Sequence, residues 1–147
     1  MNLALHISGW SKDRSRRVGA VIVGPDNEVR ATGYNGFPRD VDDDVPARHQ
    51  RPAKYAWTEH AERNAIYNAA RVGVSTHGCT IYVPWYPCME CARAIVQSGI
   101  SLMVAQRPDH SDPTWGDSFR MVDELFEEVG FVVRFVEIPK AGGFGHA

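Results

Sequence analysis

His60-Ala61-Glu62 and, downstream, Pro87-Cys88-Met89-Glu90-Cys91 hold the side chains of this sequence whose types and spacing best suit chemistry. One imidazole and two thiolates are soft-to-borderline donors that suit zinc, and three such ligands leave a fourth tetrahedral position open for water. Zinc held in this way lowers the pKa of its water toward roughly 7, making hydroxide available at neutral pH. Glu62, two residues from the imidazole, is placed to handle protons there without ligating the metal. It could take the water's proton and later return it to a leaving group. A purely structural zinc site normally shows four protein ligands. No fourth cysteine exists beyond Cys79, which falls in a strand-like run and reads as a small packing residue. His6, His49, His77, His110 and His146 are scattered and read as surface or hydrogen-bonded residues.

The elements that must position these groups follow from the apolar pattern. Leu3, Ala4, Ile7 and Trp10 have helical spacing over about 2–11. Val18 to Val23 is a β-branched run, Gly24-Pro25-Asp26-Asn27 a turn, and Glu28 to Tyr34 the returning strand of an antiparallel hairpin. No periodicity is visible over about 36–57, a length that in a compact domain points to a functional loop or to disorder. Thr58 is the expected N-cap of a helix running to about Val72, which Gly73 ends. Cys79 to Val83 reads as a strand, Cys88 to Ser98 as a helix, and Leu102 to Ala105 as a strand. A helix over about 117–129 and a strand from Phe131 to Val136 follow. His60 and Glu62 thus open one helix and Cys88 another, so positive helix ends should face the metal and favour thiolate. The alternation predicts one α/β domain over 1–138, a sandwich with a mixed five-stranded sheet, and a mobile tail over 139–147.

At 147 residues and 44% hydrophobic, the chain has the material for one core. Its net charge of −2 gives no global basic footprint, and the acidic stretch Asp40, Asp42, Asp43, Asp44 argues further against a nucleic-acid substrate. Three cysteines, two of them in a C-x-x-C, fit reduced thiols rather than a disulfide framework. No apolar run reaches the roughly 18 residues of a membrane span, and no signal peptide is legible, so a soluble cytoplasmic protein is expected.

The combined H-x-E…P-C-x-x-C pattern resembles the zinc-dependent cytidine and deoxycytidylate deaminase superfamily. The likeness to the deoxycytidylate branch extends through Ser11-Lys12-Asp13, Val18 to Val23, Gly33-Tyr34-Asn35-Gly36-Phe37-Pro38, His60 to Ile66, and Cys91 to Ile100. It implies a three-layer α/β/α sandwich with β4 parallel to β5, homo-oligomers such as a dimer or hexamer, and hydrolytic deamination of a cytosine-type nucleotide. The foremost candidate reaction is dCMP to dUMP with release of ammonia. Another small amino-heterocycle (a nucleoside, free base, guanine or triazine) is the alternative. The expected site is His60, Cys88 and Cys91 on zinc, Glu62 as proton shuttle, and Asn35, Ala61, Trp85 and Trp115 against the substrate. From the residues alone Asn35-Gly36 is equally a turn pair, and Trp85 and Tyr86 are equally core or substrate wall. The Cys88 amide would steady the oxygen developing on the attacked carbon. Lys12, Arg14, Arg16 and Arg17 form a local patch that could meet a phosphate.

The chain departs from that branch at Arg14 (often proline), Arg17 (often glutamine) and Arg63 (usually leucine). The stretch Ala105 to Gly116 also differs from the short segment expected after the fourth strand, and this region would shape the pocket mouth.

Overall fold

The β-branched run after Val18 forms β1 (Gly19–Val23), and the chain returns through Asn27, at φ 66°, as the antiparallel β2 (Val29–Tyr34). The computed structural model describes residues 1–138, so the tail expected to be mobile, 139–147, lies outside the described residues. With β3 (Thr80–Val83), β4 (Leu102–Ala105) and β5 (Val132–Phe135), the strands make one five-stranded sheet in the order β2-β1-β3-β4-β5. β1 is antiparallel to both neighbours, whereas β3–β4 and β4–β5 are parallel pairs, so the sheet is mixed. Parallel neighbours require crossovers. These are the helices α4 (Met89–Gln97) and α5 (Gly116–Glu128).

Side-chain alternation sorts the two faces. Ala20, Ile22, Ile81, Val83, Met103 and Ala105 share one core with α3 (Ala61–Arg71), α4 and α5, to which Ala65, Ile95, Phe119 and Val122 contribute. Val21 and Tyr82 point the other way, toward Ala4 and Ile7 of α1 (Asn2–Ser8). The result is a three-layer α/β/α sandwich with helical layers of unequal weight. Two glycines set how closely the layers approach. A Cβ at Gly19 would strike the α1 backbone at Ala4 and Ser8, and one at Gly33 would strike Ala61 and Ala65 of α3.

Several boundaries differ from expectation. α1 stops at Ser8, and Trp10 leaves the apolar face to lie 56% exposed, edge-on to Tyr34. The 36–57 stretch contains a 3₁₀ turn (Pro46–His49) and a short α2 (Lys54–Trp57), pieces too brief to show a periodicity. Thr58 does not cap α3; His60 is its N-cap residue. The reason is a two-residue antiparallel bridge. Gly36 and Glu59 exchange backbone hydrogen bonds of 3.0 and 2.8 Å, which keeps the chain extended up to His60.

Candidate metal centre and active site

His60 holds the N-cap position of α3, and Cys88 holds that of α4 with Cys91 one turn on, so two positive helix ends converge on the three ligands. His60 Nδ1 lies 3.5 Å from Cys88 Sγ and 3.5 Å from Cys91 Sγ. Tetrahedral zinc, with Zn–N of about 2.0–2.1 Å and Zn–S of about 2.3 Å, separates such ligands by about 3.5–3.6 Å. The three donor atoms therefore form a potential metal site with the spacing zinc requires. The thiol of Cys91 and the imidazole of His60 hold Cys88 down to about 4. The same hydrogen bond to Cys88, with burial, pushes Cys91 up. Two thiols beside an imidazole, Cys91 buried and Cys88 partly so, are a donor set suited to a soft-to-borderline cation.

Glu62, in the first turn of α3, is 4% exposed, and burial pushes its carboxyl above the usual range. It shares with His60, Ala61 and Cys88 the wall of a cavity of about 220 Å³. This cavity opens where the loops following β3 and β4 meet, outside the carboxyl ends of parallel strands, where ligands of open α/β sheets gather. Trp85 and Tyr86 come from the first of these loops, and Asp112, Thr114 and Trp115 from the second.

The two aromatic neighbours of the cysteine motif divide the roles left open above. Tyr86 is core, 3% exposed, with its hydroxyl donating to Asp123 at 2.7 Å; Asp123 in turn pairs with His110 at 2.6 Å. Trp85 is wall, its ring edge against Phe119 and its face under the Arg16 guanidinium, 3.7 Å from the ring centroid. Trp115 stands edge-on to His60 with ring centroids 6.1 Å apart, and Tyr55 stands 6.3 Å beyond it. Asp112 fixes Trp115 by accepting the Thr114 and Trp115 amides at 2.8 and 2.9 Å.

Asn35 lines the cavity, but most of its hydrogen-bonding capacity is spent on the protein. Its Oδ1 accepts the Val18 amide at 2.8 Å, and its Nδ2 donates to the Arg16 carbonyl at 2.9 Å and to Asp13 at 3.3 Å. One Oδ1 lone pair remains. Asp13, with its side chain 6% exposed, also receives Lys54 Nζ at 2.9 Å. Burial raises the Asp13 carboxyl, but Lys54 and the amides of Arg16 and Ser15 outweigh it and hold the group below its ordinary value. Sequence reasoning missed this pair, because 41 residues separate its members and nothing near Lys54 in the sequence points to Asp13.

The four-cation patch does not hold together at the cavity. Lys12 pairs with Asp43, Arg14 and Arg17 are exposed, and only Arg16 reaches the lining, where Arg51 joins it from the 36–57 segment. Glu90, though largely exposed, pairs with Arg63, which holds its carboxyl below the usual range. His49 and His110 are hydrogen-bonded, to the Asp43 carbonyl and to Asp123.

The family model of the cytidine and deoxycytidylate deaminase zinc-binding region matches residues 1–106. The chain belongs to this family. An uncharacterized deaminase from the luxG 3′ region of Aliivibrio fischeri is 36% identical over 135 residues, covering 90% of this chain and 87% of that protein. The human deoxycytidylate deaminase is 37% identical over 135 residues, covering 88% of this chain and 72% of its own. Among solved structures, dCMP deaminase from cyanophage S-TIM5 in complex with dCMP and dUMP superimposes with a TM-score of 0.73 over 92% of each chain. At 22% identity that likeness speaks for the fold alone. Zinc is the metal named for the family, and the His60, Cys88 and Cys91 spacing fits it. No helix among the described residues is long and apolar enough to cross a membrane.

Proposed function

We propose that this deaminase acts on a cytosine-type nucleotide, converting dCMP and water to dUMP and ammonia. The observation that carries the reading is a single cavity holding His60 and Cys88 of the metal site, the buried carboxyl of Glu62, a wall of aromatic rings, and two arginines. Relatives named deoxycytidylate deaminase, such as the human one, support the choice of substrate.

His60, Cys88 and Cys91 would hold zinc, which when bound activates water for attack. Every other part is played by the chain itself. Glu62, whose carboxyl burial raises above its ordinary range, is suited to accept a proton, to deliver it to a ring nitrogen, and to protonate the departing amine. The Ala61 and Cys88 amides lie at helix starts, where donors lack intrahelical partners, and the Cys88 amide is placed to steady oxygen on the attacked carbon. Trp85 and Trp115 flank the ring and exclude water. The free lone pair of Asn35 is available to a sugar hydroxyl. Arg16 and Arg51 are exposed cations with no ion-pair partner among the described residues, and the phosphate falls to them. We further propose a cytosolic homo-oligomer, in keeping with reduced thiols.

Ammonia release measured with dCMP, CMP, deoxycytidine and cytosine, with and without chelator, tests the reading. Chelator-sensitive turnover greatest on dCMP is expected. Activity confined to the two substrates without phosphate would sink the nucleotide assignment.

A further inference from the structure

Arg63 follows Glu62 on α3, where the deoxycytidylate branch usually has leucine, and it links the two halves of the metal site. Its Nε donates to Glu59 Oε1 and its Nη1 to Glu90 Oε2. The same Glu59 oxygen accepts the main-chain amide of the zinc-ligating His60 at 3.1 Å. Glu90 lies inside the Cys88–Cys91 spacer. One guanidinium therefore grips the carboxylate that holds the main chain at His60 and the carboxylate that sits between the two cysteines in sequence. The Arg63 side chain is 17% and Glu59 24% exposed, so that end of the grip is sheltered, while Glu90 at the other end is 64% exposed. Glu59 is itself pinned to Gly36 by the two-residue bridge, so the grip has a fixed end.

Isolated surface ion pairs are worth little. This arrangement differs because a planar, rigid fork bonds two partners in fixed directions, each partner belonging to a different helix start. We propose that Arg63 is a positioning residue for the zinc ion: it sets the separation of the α3 and α4 N-termini and, through Glu59, the main chain at His60. The inference rests on the zinc reading alone and is indifferent to the substrate.

The sign of the effect separates a clamp from a mere charge. A guanidinium near a zinc ion repels it, so removing only a charge would tighten zinc binding. Removing a clamp loosens it. The test is the zinc dissociation constant of full-length Arg63→Leu, Arg63→Lys and Glu90→Leu, measured by competition with a chromophoric chelator, together with melting of each zinc-free protein. Leucine is the residue usual in the family, so the fold should accept it. Arg63→Leu should weaken zinc binding by about tenfold, the lower range for partners that orient metal ligands. Arg63→Lys, which keeps the charge and loses the fork, should weaken it too. Glu90→Leu should cost less, and nothing further once Arg63 is leucine. Unchanged or tighter binding in Arg63→Leu overturns the proposal, as does wild-type affinity in Arg63→Lys. A loss of melting temperature in the zinc-free variant with zinc affinity intact would make Arg63 a fold residue only. Because zinc is read directly, a different substrate would leave this result untouched.

Discussion

Glu62 can serve as a proton carrier only if its carboxyl avoids both bulk water and the metal. At 4% exposure and on the first turn of α3, it meets the first condition by packing and the second by standing on the cavity wall beside the ligands. Glu62→Gln keeps the shape and removes the proton traffic. It should retain stoichiometric zinc by metal analysis and lose at least about 100-fold in turnover, the scale of general acid–base catalysis. Zinc-loaded glutamine enzyme with near-wild-type turnover would remove Glu62 from the proposed mechanism. His60, Cys88, Cys91 and Glu62 stood out as candidates in the sequence because H-x-E and P-C-x-x-C together are far more specific than either alone. Asp13 with Lys54, and Arg63 with Glu59 and Glu90, were not legible. Single charged letters do not announce partners that lie across the fold.

At the level of elements, the site depends on α3 lying close against β2. That approach runs through Gly33, with the small residues Ala61 and Ala65 opposite it. A methyl group there must push α3 away or strain it, at about 1–3 kcal/mol for overpacking. Gly33→Ala should therefore melt earlier. Its remaining folded enzyme should also turn over more slowly, because His60 and Glu62 ride on the displaced end of α3. Calorimetry and turnover unchanged from wild type would contradict this account. The strands and the main helices were readable from β-branched runs and 3.6-residue spacing, to within a residue or two at most ends. The misreading of Thr58 as a cap had a tertiary cause. The Gly36–Glu59 bridge extends the chain where local preference would start the helix.

Taken whole, the molecule joins an antiparallel hairpin to a parallel half-sheet, and the cavity draws on both. The hairpin side contributes Asp13, Arg16 and Asn35, and the crossover loops contribute Trp85, Cys88 and Trp115. His60 and Cys88 stand 28 residues apart, with all of α3 and β3 between them. A metal spanning that interval is also a fastener, and the folded state is the one that offers all three ligands in register. Folding and zinc supply then become a single equilibrium. The protein's resistance to heat should climb with free zinc, by about 2.7 kcal/mol once zinc stands a hundredfold above its dissociation constant. Melting curves recorded across buffered zinc concentrations should shift upward together, and curves that overlay would show that the fastener adds nothing. A cell short of zinc would on this view lose the protein itself, to unfolding and proteolysis, as well as its activity.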